Sequence, residues 1–430
     1  MVSPNPAFLP ELRARGLVHQ MTSNELEGLL QTTSLTGYIG FDPTADSLHI
    51  GSFLPVTMLM RWQRAGHRPI AVVGGGTGLI GDPSGKVNER QLLTRDALQA
   101  NLEGLRKQLS NFLDFSGTTG AVLVDNYDWL GNLALIDFLR DVGKMFSVNT
   151  MIARDAVRDR LHQREQGLSY TEFSYILLQS YDFLALYDRL GCRVQLGGSD
   201  QWGNIISGTD LIRRSRGVEA FGLTQPLVLK ADGTKFGKSE QGNIWLDPAR
   251  TSPYQMYQFL LNTEDTDVVR LLGYLTFLEL DEIAELGVAT QTHPEQRRAQ
   301  KALAREIVEM VHGRQSRERA ERTTEVLFCG GDWRSLAAGD LEQAFGASPR
   351  SSLPRSALGT NDASLVSILT DAGLTPSRGQ ARQGLATGGF SLNDEVVKDA
   401  LRSLGEVDFL GGRFAVLRRG KKSWHVVELV

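Results

Sequence analysis

The chain has 430 residues, of which 41% are hydrophobic, 22% charged and 8% aromatic, with a net charge of −4. That is ordinary globular composition, and since one core usually splits beyond roughly 250 to 300 residues it implies two or three domains. The slight negative balance excludes a global attraction to polyanions, so a nucleic-acid partner would have to be held by local basic patches. Two widely separated cysteines, Cys192 and Cys329, exclude a disulfide framework or a paired zinc spacing and fit a reducing compartment.

At the N-terminus Pro4, Pro6 and Pro10 precede Glu11, Arg13 and Arg15, without the apolar stretch of a signal peptide. No run approaches the ~20 apolar residues of a membrane span. The expected location is therefore the cytoplasm, with no membrane partner.

Between Leu35 and Val228 short apolar runs alternate with helical patterns, which predicts a parallel sheet covered by helices. Strands are expected at 37–41, 69–73, 121–125, 193–196 and 226–229, and helices at 53–65, 94–112 and 174–189, where apolar residues recur at three and four positions. The apolar stretch 132–151, with Phe138, Met145 and Phe146, reads equally as buried core or as a subunit interface. From Ser252 to about Phe328 the pattern is helical throughout. It holds Arg297, Arg298, Lys301, Arg305, Arg314, Arg317, Arg319 and Arg322 among interleaved acids. Charge alone leaves open a salt-bridged helix face or an RNA-facing one. A Gly-, Ser- and Ala-containing stretch over 330–360 reads as a linker. The tail, 351–430, has ten basic against eight acidic residues, with Arg378 and Arg382 opening a helix. Arg413, Arg418, Arg419, Lys421 and Lys422 surround Trp424 and His425, a mixture able to contact phosphate and stack a base, or simply to build a stabilising tail.

Three motifs could carry chemistry. Tyr38 to Ser52 (YIGFDPTADSLHIGS) runs from a strand into a helix; glycine after histidine lets a nucleotide approach a helix N-terminus, where unpaired N–H groups favour phosphate. His49 and Thr44 would add donors there, although a histidine taken alone is more often structural. Val73 to Lys86 (VGGGTGLIGDPSGK) satisfies the dinucleotide spacing at Gly76, Gly78 and Gly81. It nevertheless lacks an immediate helix and a second-strand acid, and it fails the phosphate-loop spacing as well. What remains is a glycine-rich loop that either delivers Lys86 and Arg90 to a polyphosphate or is a plain surface loop. Lys230 to Ser239 (KADGTKFGKS) sets Lys235 and Lys238 three residues apart, which suits negative charge developing in a transition state.

Together these pieces resemble class I aminoacyl-tRNA synthetases, whose His-Ile-Gly-His and Lys-Met-Ser-Lys-Ser hallmarks correspond to His49-Ile50-Gly51-Ser52 and Lys235-Phe236-Gly237-Lys238-Ser239. Tyr38–Gly51, Leu79–Lys86, Phe173–Asp182 and Gly197–Asn204 narrow the resemblance to the bacterial tyrosyl-tRNA synthetase family, and Ser377-Arg378-Gly379-Gln380-Ala381-Arg382 with Gly388-Gly389 resembles the S-four-like RNA-binding domain that ends it. The resemblance implies an α/β fold: a Rossmann-like, doubly wound parallel-sheet catalytic domain with a dimer-forming helical insertion (1–246). A helical anticodon-binding domain (247–329), the linker (330–360) and a small α+β S-four-like domain (361–430) would follow. It implies activation of L-tyrosine by ATP, carried with Mg2+, then transfer to the 3′ end of tRNA(Tyr), by a homodimer.

By the same resemblance Tyr38 and Asp182 would meet the phenol. Asp82, Tyr175 and Gln179 would meet the amino group, and Asp200 and Gln201 the ribose and the substrate carboxylate. Asp42, Gly51 and Ser52 would help hold the nucleotide, while Thr44, His49, Lys86, Arg90, Lys235 and Lys238 would meet the departing phosphates. Tyr175, Gln179 and Asp182, at spacings of four and three, could also be one polar helix face. Two departures stand out: Ser52 replaces the usual second histidine, and Ile39 stands where some members place a cysteine. Phe236-Gly237 for Met-Ser is a familiar variation in this family. Rival readings are tryptophan activation on the same scaffold, a catalytically dead RNA-binding relative, and an NAD-dependent dehydrogenase.

Overall fold

The computed structural model describes residues 4–83, 93–152, 157, 168–239, 242–328, 331–346, 348–420 and 423–430. The chain forms two compact units, Met1–Asp247 with Glu264–Ala299 and Pro248–Thr263 with Gln300–Val430.

The first unit is built on a six-stranded sheet: β1 (Gln20–Met21), β2 (Thr36–Phe41), β3 (Arg68–Val73), β4 (Val122–Asp125), β5 (Cys192–Gly198) and β6 (Phe221–Gln225), in the order β1-β6-β5-β2-β3-β4. All neighbours are parallel except the β1–β6 pair at one edge. Chain order runs outward from β2 through β3 to β4, and in the opposite sense from β5 to β6, so the winding reverses between β2 and β5. Ile70, Ala71, Val72 and Val73 are all buried, the continuous apolar run that a strand covered on both faces requires. The expected doubly wound architecture is thus present.

Four expected strands match observed ones to within a few residues, but the fifth does not. The strand is Phe221–Gln225, and at 226–229 only Leu229 makes an isolated bridge, to Lys235. Pro226 has no N–H to continue the ladder, so pairing ends before it. The helices Phe53–Arg64, Arg95–Leu109 and Tyr170–Leu190 fall where periodicity put them. Tyr170–Leu190 opens with the Ser169 hydroxyl accepting from Glu172 N–H and closes at Gly191 in the left-handed conformation, the usual start and stop signals. Among the described residues of the glycine-rich loop after β3 the helical turn is the short Thr77–Leu79, not the long helix of a dinucleotide fold. No described helix is long and apolar enough to cross a membrane.

The helical stretch expected as one domain over 247–329 divides. Asp265–Leu275 and Leu280–Thr292 belong to the first unit, where Arg61, on Phe53–Arg64, donates to the carbonyls of Gly273 and Thr276. In the second unit Pro253–Leu261 lies against Arg314–Phe328, with Gln258 Nε2 donating to Thr324 Oγ1 at 2.7 Å. The basic stretch there is extensively ion-paired: Arg305 with Glu321, Arg314 with Glu318, Arg317 with Glu309, and Arg319 with Asp340.

The linker expectation for 330–360 is also corrected. Leu341 and Phe345 are buried and give Ala338–Phe345 the apolar stripe of a packed helix. Arg350–Leu353 is a strand, β9, of a second sheet with β10 (Phe390–Leu392), β11 (Glu395–Val397), β12 (Phe414–Arg419) and β13 (Ser423–Leu429), ordered β11-β10-β12-β13-β9. Trp424 does not present a free face: it stacks on Trp333 at 5.9 Å and 13°. His425 is buried, with its Nε2 2.9 Å from Ser351 Oγ. Lys421 and Lys422 lie outside the described residues.

Candidate active site

Ligands of open α/β sheets bind beyond the carboxyl ends of the strands where the winding reverses. Here that place is the end of β2 and β5, and a cavity of about 360 Å³ opens there.

Its deep end is a hydroxyl-sized polar patch in an apolar slot. Tyr38, on β2, is buried with its ring centroid 5.3 Å from that of Phe183. Its hydroxyl has no hydrogen-bond partner among the described residues. Asp182, also buried, accepts from Trp129 Nε1 at 2.7 Å on one oxygen and from Asn126 Nδ2 at 2.9 Å on the other. Asn126 is itself fixed: it donates to Thr77 Oγ1 at 2.8 Å and accepts from Gly76 N–H at 2.7 Å. Burial pushes the Asp182 carboxyl up to about 7 against the opposing pull of those two donors. Burial, reinforced by the Asp182 charge, pushes the Tyr38 phenol well above its usual range. The slot thus ends in a hydroxyl that is costly to leave unpaired beside a carboxylate already held by two donors.

Nearer the mouth a relay of amides runs from one helix to the next. Asn204 Nδ2 donates to Gln179 Oε1 at 2.9 Å, Gln179 Nε2 to Gln201 Oε1 at 3.1 Å, and Gln201 Nε2 to Asp82 Oδ2 at 2.8 Å. Tyr175 lines the same wall. A carboxylate and amide oxygens fixed in this way suit an ammonium group.

At the mouth stand Asp42, Thr44, His49, Gly51, Ser52 and Asp200. His49 precedes the short turn Ile50–Ser52 that leads into the helix Phe53–Arg64, so the cavity faces a helix N-terminus and its partial positive charge. The Ser52 hydroxyl lies 3.3 Å from both ring nitrogens of His49. Burial lowers the His49 pKa, with Lys235 and Lys238 adding to the effect. Burial raises the Asp200 carboxyl, which Lys235 partly offsets.

The loop that brings those lysines is a hairpin. Lys230 N–H donates to Thr234 O at 2.7 Å, and Asp232 Oδ1 accepts from Thr234 N–H and its hydroxyl. Its return strand continues into β7 (Lys238–Ser239), paired with β8 (Gly242–Asn243). Ile50 N–H then donates to Ile244 O at 2.8 Å, tying this ribbon to the histidine motif.

One cavity therefore gathers Tyr38, Asp42, Thr44, His49, Gly51, Ser52, Asp82, Tyr175, Gln179, Asp182, Asp200 and Gln201, with Lys235 and Lys238 close enough to act on His49 electrostatically. Lys86 and Arg90 lie outside the described residues. Sequence reading missed Asn126 and Trp129. The signal available was the switch from the apolar β4 to Asp125-Asn126-Tyr127-Asp128-Trp129 at a strand's carboxyl end. Asn204 closes the Gly197–Asn204 motif, and its bond to Gln179 is visible only in three dimensions. Among the described residues no group of three or more His, Cys, Asp or Glu is placed to hold a metal.

The chain belongs to the class I tRNA synthetases of the tryptophan and tyrosine group, whose family model matches residues 30–329. A second model, the tyrosine–tRNA ligase SYY-like C-terminal domain, matches residues 340–427. Over 427 residues, 99% of this chain and all of the relative, it is 51% identical to tyrosine–tRNA ligase 2 of Enterococcus faecalis. Over 424 residues, 98% of this chain and 99% of the relative, it is 50% identical to the tyrosine–tRNA ligase of Roseiflexus castenholzii. Among solved structures it is similar to a C-terminally truncated Aspergillus nidulans mitochondrial tyrosyl-tRNA synthetase, with a TM-score of 0.67 and 30% identity over 75% of this chain and 94% of that one. A tryptophanyl-tRNA synthetase from Encephalitozoon cuniculi bound to tryptophan (TM-score 0.53, 14% identity, 74% and 93% coverage) shares the fold.

Proposed function

We propose that this chain is a tyrosine–tRNA ligase: it activates L-tyrosine with ATP, releasing pyrophosphate, and passes tyrosine to the 3′ end of tRNA(Tyr). The observation that carries this reading is the shared slot of Tyr38 and Asp182 at the bottom of a cavity whose mouth is a histidine-led helix N-terminus. Phenylalanine in that slot would leave the buried Tyr38 hydroxyl without a partner and bring no donor to Asp182, and an indole would not reproduce the phenol's donor-and-acceptor pattern.

Asp82, Tyr175 and Gln179 take the amino group. Gln201 orients the carboxylate, Asp200 meets the ribose, and Asp42, Gly51 and Ser52 hold the nucleotide. The carboxylate attacks the α-phosphate in line, and no side chain acts as nucleophile. Rate comes from positioning and from donors aimed at the departing phosphates, namely Thr44, His49, Lys86, Arg90, Lys235 and Lys238. Magnesium carried with ATP would supply charge neutralisation at the departing phosphates. The site fits this, since the lysine ammonium groups complement phosphate and cannot ligate a cation, and among the described residues no group of three or more His, Cys, Asp or Glu is placed to hold one.

The enzyme works in the cytoplasm as a homodimer. Leu135, Ile136, Leu139, Val148 and Ile152 are exposed apolar groups within or beside the stretch named for the interface, whereas Phe138, Met145 and Phe146 are packed on the core instead. The second unit, with its helices and C-terminal sheet, takes the tRNA, and binding weakens as salt rises.

Tyrosine-dependent ATP–pyrophosphate exchange is the direct test. Exchange with tyrosine but not with tryptophan or phenylalanine supports the reading, and its absence removes it. Replacing Lys235 and Lys238 together by Ala should leave tyrosine binding intact while collapsing exchange; unchanged turnover would reject their role.

A further inference from the structure

The hairpin that carries Lys235 is gripped at its base by an ion pair outside the cavity. On the helix Asp265–Leu275, Asp267 and Arg270 stand one turn apart and bond to each other. Each also reaches the hairpin's backbone. Asp267 Oδ2 accepts from Ala231 N–H at 3.2 Å, and Arg270 Nη2 donates to Leu229 O at 2.6 Å. The Asp267 side chain is only 5% exposed, so its bonds are shielded from competing water. The two contacts bracket Lys230, and Leu229 is paired across the hairpin with Lys235.

A turn made of Ala231-Asp232-Gly233-Thr234 is exposed and has no apolar packing of its own to hold it. A two-stranded hairpin in that state is marginal. On the far side of Lys235, Phe236 N–H donates to Val228 O at 3.1 Å and Gly237 abuts Gly51. Lys235 is thus suspended between the ion pair on one side and the histidine motif on the other. Neither Asp267 nor Arg270 lines the cavity, so neither is in reach of an amino acid seated in it.

Resting on the function proposed above, we propose that Asp267 and Arg270 are positioning residues for the adenylation step: they fix the backbone that aims Lys235 at the departing phosphates. Charge stabilisation that operates in the transition state depends on donors already in place. Loosening the base would therefore slow chemistry and leave the distant tyrosine slot untouched. A pair that merely stapled a helix would move thermal stability and leave turnover alone.

The test uses the full chain and tyrosine-dependent ATP–pyrophosphate exchange, with thermal unfolding in parallel. Arg270→Ala and Asp267→Asn should each lower kcat about tenfold or more while the KM for tyrosine stays within about twofold, the pattern of an interaction used only in the transition state. Arg270→Lys, which keeps the charge, should recover part of the loss. In a Lys235→Ala background Arg270→Ala should add little, because the group it positions is gone. Full kcat in folded Arg270→Ala and Asp267→Asn, or the same additional loss with and without Lys235, would overturn the proposal. Should Arg270→Ala fail to fold, Arg270→Lys and Asp267→Asn decide alone. Wild-type exchange with unaffected variants sinks the positioning role only, whereas a wild type without tyrosine-dependent exchange sinks the underlying function as well.

Discussion

Gly51 and Gly237 pack backbone against backbone. A Cβ on Gly237 would stand 3.0 Å from the Gly51 nitrogen and 2.7 Å from Ile50 Cγ2, and one on Gly51 would stand 2.9 Å from the Phe236 carbonyl oxygen. Gly237 also has φ +96°, where a side chain adds roughly 1 to 2 kcal/mol of strain. Gly237→Ala should therefore push the lysine loop off the histidine motif. Pyrophosphate exchange should drop sharply while tyrosine affinity, measured by calorimetric titration, stays at the wild-type value.

Asp182→Asn tests the deep slot. The carboxylate accepts a donor on each oxygen, whereas an amide offers one acceptor and must turn its NH2 toward Asn126 or Trp129. Leaving a buried donor unmatched costs about 1 to 3 kcal/mol with or without tyrosine bound, so the variant's unfolding free energy should fall by that amount, as urea unfolding at neutral pH would read.

The same carboxyl sets a pH dependence. With its pKa pushed up to about 7, wild-type tyrosine affinity should rise between pH 6 and 8 as the acceptor ionises, and the Asn variant should lack the rise. For stability the sign is opposite. Between the ordinary value of 3.8 and about 7 the folded chain keeps a proton that the unfolded chain has lost. This group's contribution is therefore complete at low pH and disappears as the pH rises through 7. Urea unfolding across that range, compared between wild type and variant, checks it.

His67 works the other way. Its ring lies 4.5 Å from Trp62, its Nδ1 accepts from Leu35 N–H at 3.3 Å, and its buried Nε2 has no partner among the described residues. Burial pushes its pKa down to about 4. The stability it contributes is present above pH 6.5 and is lost as the pH falls toward 4, on the order of 3 kcal/mol. His67→Gln should flatten the acid limb of an unfolding-versus-pH curve.

Ser52→Ala should lower exchange by about fivefold, a loss near 1 kcal/mol, without moving the KM for tyrosine, because the hydroxyl lies against the His49 ring. Unchanged exchange would show that the missing second histidine has no functional substitute at this position.

The central sheet was legible because β2, β3 and β5 are apolar runs ended by glycine and aspartate, and the cavity because its motifs sit at those ends. What the sequence hid was three-dimensional. Asn126 and Trp129 matter through Asp182, 56 and 53 residues away in the chain. Trp424 looked available for stacking until Trp333 covered it. Small residues over 330–360 concealed the apolar stripe of Leu341 and Phe345. Misplacing β6 beyond Pro226 came from weighing hydrophobicity over the missing amide.

The parallel pairing of β9 with β13 sets where the C-terminal piece can be cut. A fragment starting at residue 361 would strip β13 of a neighbour, leaving a row of bare amides and carbonyls able to recruit a second copy, and would uncover the indole of Trp424. A truncation meant to stay soluble should begin upstream of Trp333.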